Sequence, residues 1–148
     1  MERASLDPSR LLVAAGALGL LTSLFLPWFD VGGFATPQGS GPDVLYGSTR
    51  YSGWQAFEIA DILFTLIAAG ALVGLGLAIA LDARWPYLGV AALGWCTVGL
   101  TLFAVYYPAH VAAVGEGSKP HIGFLGALLS GGAIAGGALW AGLARVPG

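Results

Sequence analysis

The stretch that decides the fold is ILFTLIAAGALVGLGLAIAL at residues 62–81, which is apolar apart from Thr65 and is bounded by Asp61 and Asp82. A hydrocarbon core of about 30 Å is crossed by about 20 helical residues. The stretch therefore predicts a transmembrane helix. The whole chain supports this interpretation, because 57% hydrophobic and 9% charged residues lie well outside the usual composition of soluble domains.

Three further apolar stretches extend the prediction to an all-α membrane protein, a four-helix transmembrane bundle forming one domain over residues 1–148. Charges, prolines and aromatic residues bound the expected spans at about 11–28, 56–81, 87–107 and 122–143. Trp28 is expected to anchor the end of the first span in the headgroup region, where amphipathic rings are enriched. We interpret that span as an uncleaved helix rather than a signal peptide, because its apolar run is longer than a usual h-region and residues 27–29 (PWF) are typical of an interfacial anchor rather than a small-residue cleavage site.

The positions of the basic residues predict the orientation of the bundle. Lys and Arg in short loops tend to stay on the cytoplasmic side. With the amino terminus inside, four arginines lie in inner segments (Arg3, Arg10, Arg84 and Arg145) and two basic residues in outer ones (Arg50 and Lys119). We expect a multi-pass plasma-membrane protein with both termini in the cytoplasm.

Polar side chains within the spans gather near the expected outer end. Trp54, Glu58, Asp61 and Thr65 recur at spacings that place them on one face of a single helix. The two carboxylates have three interpretations: they mark the water boundary, they pair with Arg50, or they bind a cation or ligand. In the last case Thr22 and Thr101, also near the outer end, would complete the lining.

Glycine placement indicates close helix packing. Gly70 and Gly74 form a GxxxG pair in the second span, and Gly132 and Gly136 form another in the fourth. Small residues at this spacing let helix backbones approach closely in lipid. The pairs predict either packing within one bundle or, through the fourth span, a homo-oligomer interface.

The first outer loop, residues 30–53, predicts a small antiparallel β-hairpin over the bundle. Residues 29–34 and 44–51 are rich in aromatic and β-branched types, and a Gly- and Pro-rich turn separates them. Such a hairpin could bind a partner or shield the helix ends.

Several function classes have no support in the sequence. We expect no cofactor, no metal site and no enzymatic activity, because no paired nucleophile and base or phosphate loop is found. His110, His121 and Glu116 could in principle bind a metal, but their spacing favours solvated loop residues. No basic cluster suggests nucleic acid as a partner, and the polar residues do not continue through the membrane depth as a channel would require.

Two short motifs carry a resemblance to known proteins, which implies a source organism and a membrane topology. Residues 26–29 (LPWF) close a first helix, and residues 53–63 (GWQAFEIADIL) open a second after a Gly-rich loop. The chain thereby resembles small four-helix membrane proteins of high-GC actinobacteria and their relatives, which have no assigned activity. Its layout also resembles that of claudins, without their paired loop cysteines, since Cys96 is the single cysteine.

The expected function is that of a structural or accessory membrane protein. It would act through contacts with the lipid bilayer, with another membrane protein or with a second copy of itself. The alternative is an outward-facing ligand- or cation-binding or transport protein that uses Glu58 and Asp61. A membrane enzyme acting on lipid would need a nucleophile or metal that the sequence does not offer.

Overall fold

The computed structural model describes residues 7–31, 49–57, 59–107 and 119–144, and these parts are mostly helical. The helices are α1 (Pro8–Ser23), α2 (Gly53–Ala56), α3 (Ala60–Ala80), α4 (Trp85–Tyr106) and α5 (Ile122–Leu143). The strands are β1 (Pro27–Val31), β2 (Thr49–Ser52) and β3 (Lys119–Pro120). Three helices, α3, α4 and α5, are long and apolar enough to cross a membrane.

The four longer helices pack side by side, with α5 against α1 and α4, and α3 against α4 and α1. The small sheet lies where α1 ends and where α3 and α5 begin. We call this the sheet end, and we call the opposite end, where α1 and α4 begin and α5 ends, the far end. The core along the bundle consists largely of small and branched residues such as Val13, Ala71 and Ile134.

The first helix differs from its predicted span of 11–28. It starts at Pro8, where the carboxylate of Asp7 accepts a hydrogen bond from the amide of Ser9, and it ends at Ser23. Pro27 has no backbone N–H and disfavours helix at the preceding residue, so the chain leaves the helix and enters β1. With 16 residues, α1 is about 24 Å long at about 1.5 Å per residue, shorter than a hydrocarbon core of about 30 Å.

The second span also begins later than predicted. Phe57 has extended backbone angles (φ −103°, ψ 141°) and separates the single turn α2 from α3, which starts at Ala60. The expectation of one continuous helix carrying Trp54, Asp61 and Thr65 on one face was therefore wrong. The third span begins two residues earlier than predicted, at Trp85, and the fourth occupies the predicted residues.

The predicted pair of antiparallel strands is present, within a three-stranded sheet of order β2-β1-β3. Phe29 pairs with Tyr51 on one side and with Pro120 on the other, and the register shifts between Pro27 and Phe29. Residues 32–48, which include the predicted turn and the ends of both predicted strands, lie outside the described residues. The third strand was not predicted.

Glycines carry the closest helix contacts. A Cβ on Gly16 would lie 2.8 Å from the carbonyl oxygen of Ser130, and one on Gly94 would overlap the backbone of Ala135. Gly70 and Gly74 lie against Leu93 and Val90 of α4.

The second glycine pair does not pack within the bundle. A Cβ on Gly132 or Gly136 would meet nothing within 4 Å, because this side of α5 faces outward from the described helices. The neighbouring Gly131 and Gly137 make the contacts instead, with Thr97 and with Ser9 and Val13. Gly132 and Gly136 therefore do not pack within the described bundle, and the alternative, a homo-oligomer interface through this helix, stays a prediction.

Candidate functional site

The residues predicted to form an outer polar site do not converge. Glu58 lies outside the described residues. Asp61 accepts a hydrogen bond of 2.7 Å from the backbone amide of Ile62, and the Thr65 hydroxyl donates to the carbonyl oxygen of Asp61 at 2.8 Å. Both side chains are therefore engaged with their own helix backbone at the start of α3.

Trp54 and the two threonines from other helices have local roles as well. Trp54 is 40% exposed, and its ring lies 5.8 Å from that of Phe25. The Thr22 hydroxyl donates to the Leu18 carbonyl oxygen at 2.9 Å, and the buried Thr101 hydroxyl donates to that of Thr97 at 2.7 Å. Such bonds to the preceding turn satisfy threonine inside a helix without a ligand.

Arg50 lies on the sheet rather than beside Asp61. Within the described ranges, Arg10 forms an ion pair with Asp7, with 3.4 Å between Nε and Oδ2. The proposed pairing of Arg50 with Asp61 is not formed, and its pairing with Glu58 falls outside the described residues.

The sheet instead brings together three charged residues. Asp30 of the central strand stands opposite Arg50 of β2 and opposite Lys119 of β3. Arg50 and Lys119 are exposed, whereas Asp30 is half-buried. One carboxylate oxygen of Asp30, Oδ1, is buried and has no hydrogen-bond partner among the described residues.

The sequence does not predict this row of charges, because Asp30 falls within the predicted strand 29–34 but the pattern gives its carboxylate no partner. Two signals were present. Asp30 follows the aromatic residues Trp28 and Phe29, and in a strand its side chain must point away from the face on which Phe29 lies. Lys119 is distant in sequence, so its position opposite Asp30 could not be deduced from local pattern.

Beneath the charged face, Trp28 fastens the sheet to the bundle. Its side chain is 0% exposed, and its indole Nε1 donates a hydrogen bond of 2.7 Å to the carbonyl oxygen of Ser23, the last residue of α1. The amide of His121 donates to the carbonyl oxygen of Trp28 at 2.8 Å. One residue therefore joins the end of α1, the central strand and the start of α5.

An aromatic cluster surrounds the indole ring. Phe57 meets it edge-on with ring centroids 4.7 Å apart, and Phe64 of α3 lies at 5.4 Å. Phe29 contacts Phe57 at 6.0 Å. Gly123 of α5 leaves room for the ring, because a Cβ there would overlap the indole. Phe57 can reach this cluster because its backbone is extended, which explains the interruption before α3.

Helix α2 and the strand before it, β2, also contact the turn that follows α1. Gly53 lies against Leu24, and a Cβ on it would be 3.0 Å from the Leu24 backbone. The Gln55 side chain accepts a hydrogen bond from the Ser52 amide at 3.2 Å. Strand β2 and helix α2 are thus held against the turn that follows α1.

The described residues contain no group of three or more His, Cys, Asp or Glu side chains that could hold a metal ion. His121 lies at the start of α5, and its Nδ1 is buried without a hydrogen-bond partner in the described ranges. His110 and Glu116 lie outside those ranges. Cys96 is exposed on α4.

Comparisons with protein-family models, with curated proteins and with solved structures found no match for this chain.

Proposed function

We propose that the chain is a four-helix integral membrane protein in which α1, α3, α4 and α5 all cross the bilayer. The sheet end faces outward, and both termini lie in the cytoplasm. Three helices meet the length requirement, and the shorter α1 packs against two of them. The turn after α1, which is also apolar at Leu24 and Phe25, extends its hydrophobic length toward the sheet.

We propose further that the protein is a structural or accessory subunit, not an enzyme, and that it works by presenting the charged face of the sheet to a partner. The observation that carries this proposal is the attachment of Trp28. It fixes the row of Arg50, Asp30 and Lys119 to three elements of the bundle. A rigid charged surface is suited to selective contact, because opposite charges across an interface favour correct partners and disfavour others.

The partner is another membrane protein or a second copy of the chain, and photo-crosslinking in native membranes tests both. In the test variants, a photoreactive residue replaces Arg50 or Lys119. In the control variant it replaces Leu77, which is exposed near the end of α3. We expect protein adducts from the sheet positions and only lipid adducts from Leu77. A band at twice the 15.0 kDa mass would identify a second copy.

Controls make the crosslinking result decisive. Adducts that persist when Asp30 is changed to Lys, which reverses the central charge, would indicate non-selective collision. A folded, membrane-inserted protein that gives no adduct at either sheet position would contradict the proposal. We propose a bacterial plasma membrane as the setting of the experiment, because the sequence resembles small four-helix proteins of actinobacteria.

The alternative function, cation or ligand binding through Glu58 and Asp61, is weakened by the local hydrogen bonds of Asp61 and Thr65. The double variant Glu58→Gln with Asp61→Asn separates the two functions. An accessory role predicts that added cations change the Tm of the unaltered protein and of the double variant equally. A cation-dependent rise in Tm that only the unaltered protein shows would support the alternative.

A further inference from the structure

A groove at the far end of the molecule lies between the start of α4 and the end of α5. Its volume is about 340 Å³, near the lower end of the roughly 300–1,000 Å³ typical of small-molecule sites. Leu88 of α4 and Leu139 and Leu143 of α5 form its walls, with Gly142 between the helices. The groove belongs to neither the sheet nor the predicted polar site.

The walls are suited to a hydrocarbon chain. Leu88 is 65% exposed and Leu143 is 67% exposed, so their side chains face outward and would lie among lipid tails in a membrane. Gly142 has no side chain to fill the space between them, and a Cβ there would only touch Tyr87 at 3.6 Å. The groove is therefore open sideways to the bilayer.

The rim of the groove carries a positive charge. Arg84 lines it at the residue before α4 and is exposed. The first turn of α4 contains no acidic residue, and the positive end of the helix dipole adds to the charge of Arg84. An apolar groove beside the Arg84 guanidinium is suited to a molecule with an acyl chain and an anionic headgroup.

We infer that this groove binds one anionic phospholipid of the cytoplasmic leaflet, with its phosphate on Arg84 and one acyl chain along Leu88 and Leu139. Basic pockets between transmembrane helices on the cytoplasmic side bind anionic headgroups in this way. The inference rests on the proposed membrane placement, because the far end must lie at the cytoplasmic surface.

Native mass spectrometry of the full chain in a neutral detergent tests the inference, with phosphatidylglycerol or phosphatidylcholine added. We expect one molecule of phosphatidylglycerol to be retained in preference to phosphatidylcholine. Arg84→Gln should weaken phosphatidylglycerol retention roughly fivefold, the factor that corresponds to about 1 kcal/mol for one basic residue near an anionic surface. Arg84→Lys should keep most of it.

The matched control is Arg50→Gln, which removes one guanidinium from the sheet end. It should retain phosphatidylglycerol as the unaltered protein does. Equal retention by the unaltered protein and Arg84→Gln would overturn the inference, as would an equal loss in Arg50→Gln, since either result would show that lipid retention does not depend on this rim.

A second variant tests the groove itself and remains informative if Arg84→Gln does not fold. Gly142→Leu places a side chain between the walls where the space is open, and we expect it to reduce retention of both lipids. Unchanged retention would overturn the inference. A protein that is absent from the membrane fraction would refute the proposed function as well, whereas an inserted protein without lipid preference would refute the groove alone.

Discussion

The indole nitrogen of Trp28 donates a hydrogen bond of 2.7 Å to the carbonyl oxygen of Ser23, so the second residue of β1 also supplies a partner at the end of the first helix. Helix ends leave backbone carbonyls without intrahelical partners. Here the indole N–H donates to the Ser23 carbonyl oxygen beside the Leu26 amide, which donates to it at 3.1 Å, and the same side chain fills the space beneath the sheet. Trp28 thus takes part both in the hydrogen bonding at the end of α1 and in the packing beneath the sheet.

Replacing Trp28 should destabilise the protein far more than replacing an exposed tryptophan. Trp28→Phe removes the indole N–H and part of the ring volume, and we expect a loss of about 1–3 kcal/mol in the free energy of unfolding. Trp54→Phe, at a side chain that is 40% exposed, should change it by less than about 0.5 kcal/mol. Denaturant titration in detergent measures both, and equal effects would contradict the central role of Trp28.

Gly16 of α1 and Gly132 of α5 have different surroundings, which predict opposite effects of an alanine substitution on stability. Gly16→Ala would force a methyl group against the Ser130 carbonyl oxygen and should cost about 1–3 kcal/mol as overpacking. Gly132→Ala meets open space and should leave the unfolding free energy of the monomer unchanged or slightly higher. If Gly132→Ala instead dissociated a dimer, the predicted homo-oligomer interface through α5 would gain support.

The row of charges across the sheet predicts a measurable effect on strand pairing. Asp30→Asn leaves Arg50 and Lys119 facing a neutral residue, and each opposite-charge pair across strands contributes roughly 0.2–1 kcal/mol. We expect faster amide hydrogen exchange in β2 and β3, with the difference reduced at high salt because the charges are screened. Asp61→Asn, which removes a carboxylate outside the sheet, should leave that exchange unchanged.

Topology can be tested with single cysteines in a Cys96→Ser background. Pro120→Cys lies on the sheet and Ala83→Cys in the turn at the far end, and neither change alters a charge that sets orientation. A membrane-impermeant maleimide should label only Pro120→Cys in intact cells and both variants after permeabilisation. If only Ala83→Cys were labelled in intact cells, the far end would face outward and the proposed orientation would be wrong.

The bounds of a helix can be predicted from the sequence where local composition alone determines where the helix begins and ends. The fourth span, 122–143, matches α5 because Pro120 ends the preceding strand and an unbroken apolar run follows. The first two spans were misplaced where a distant contact decides the backbone. Trp28 was expected at a lipid interface, yet it is 0% exposed, because the partners of its ring come from α3 and from residue 57.

The candidate site was the least predictable part. Spacing placed Trp54 with Asp61 and Thr65 on an assumed continuous helix, and the extended backbone at Phe57 removed that assumption. The pairing of Asp30 with Lys119 depends on contacts between parts of the chain far apart in sequence. The groove at Arg84 likewise needs the packing of α4 on α5, which no periodicity in either helix specifies.

The order of strands in the sheet constrains how the protein is made. The central strand β1 pairs with β3, which follows it in the chain only after α3 and α4. In the proposed membrane topology, two later helices must insert and a second loop must be exported before β1 gains its last partner. Chains interrupted before Lys119 would leave one edge of β1 unpaired and Trp28 without the His121 bond. Such chains should be preferred substrates of membrane proteases.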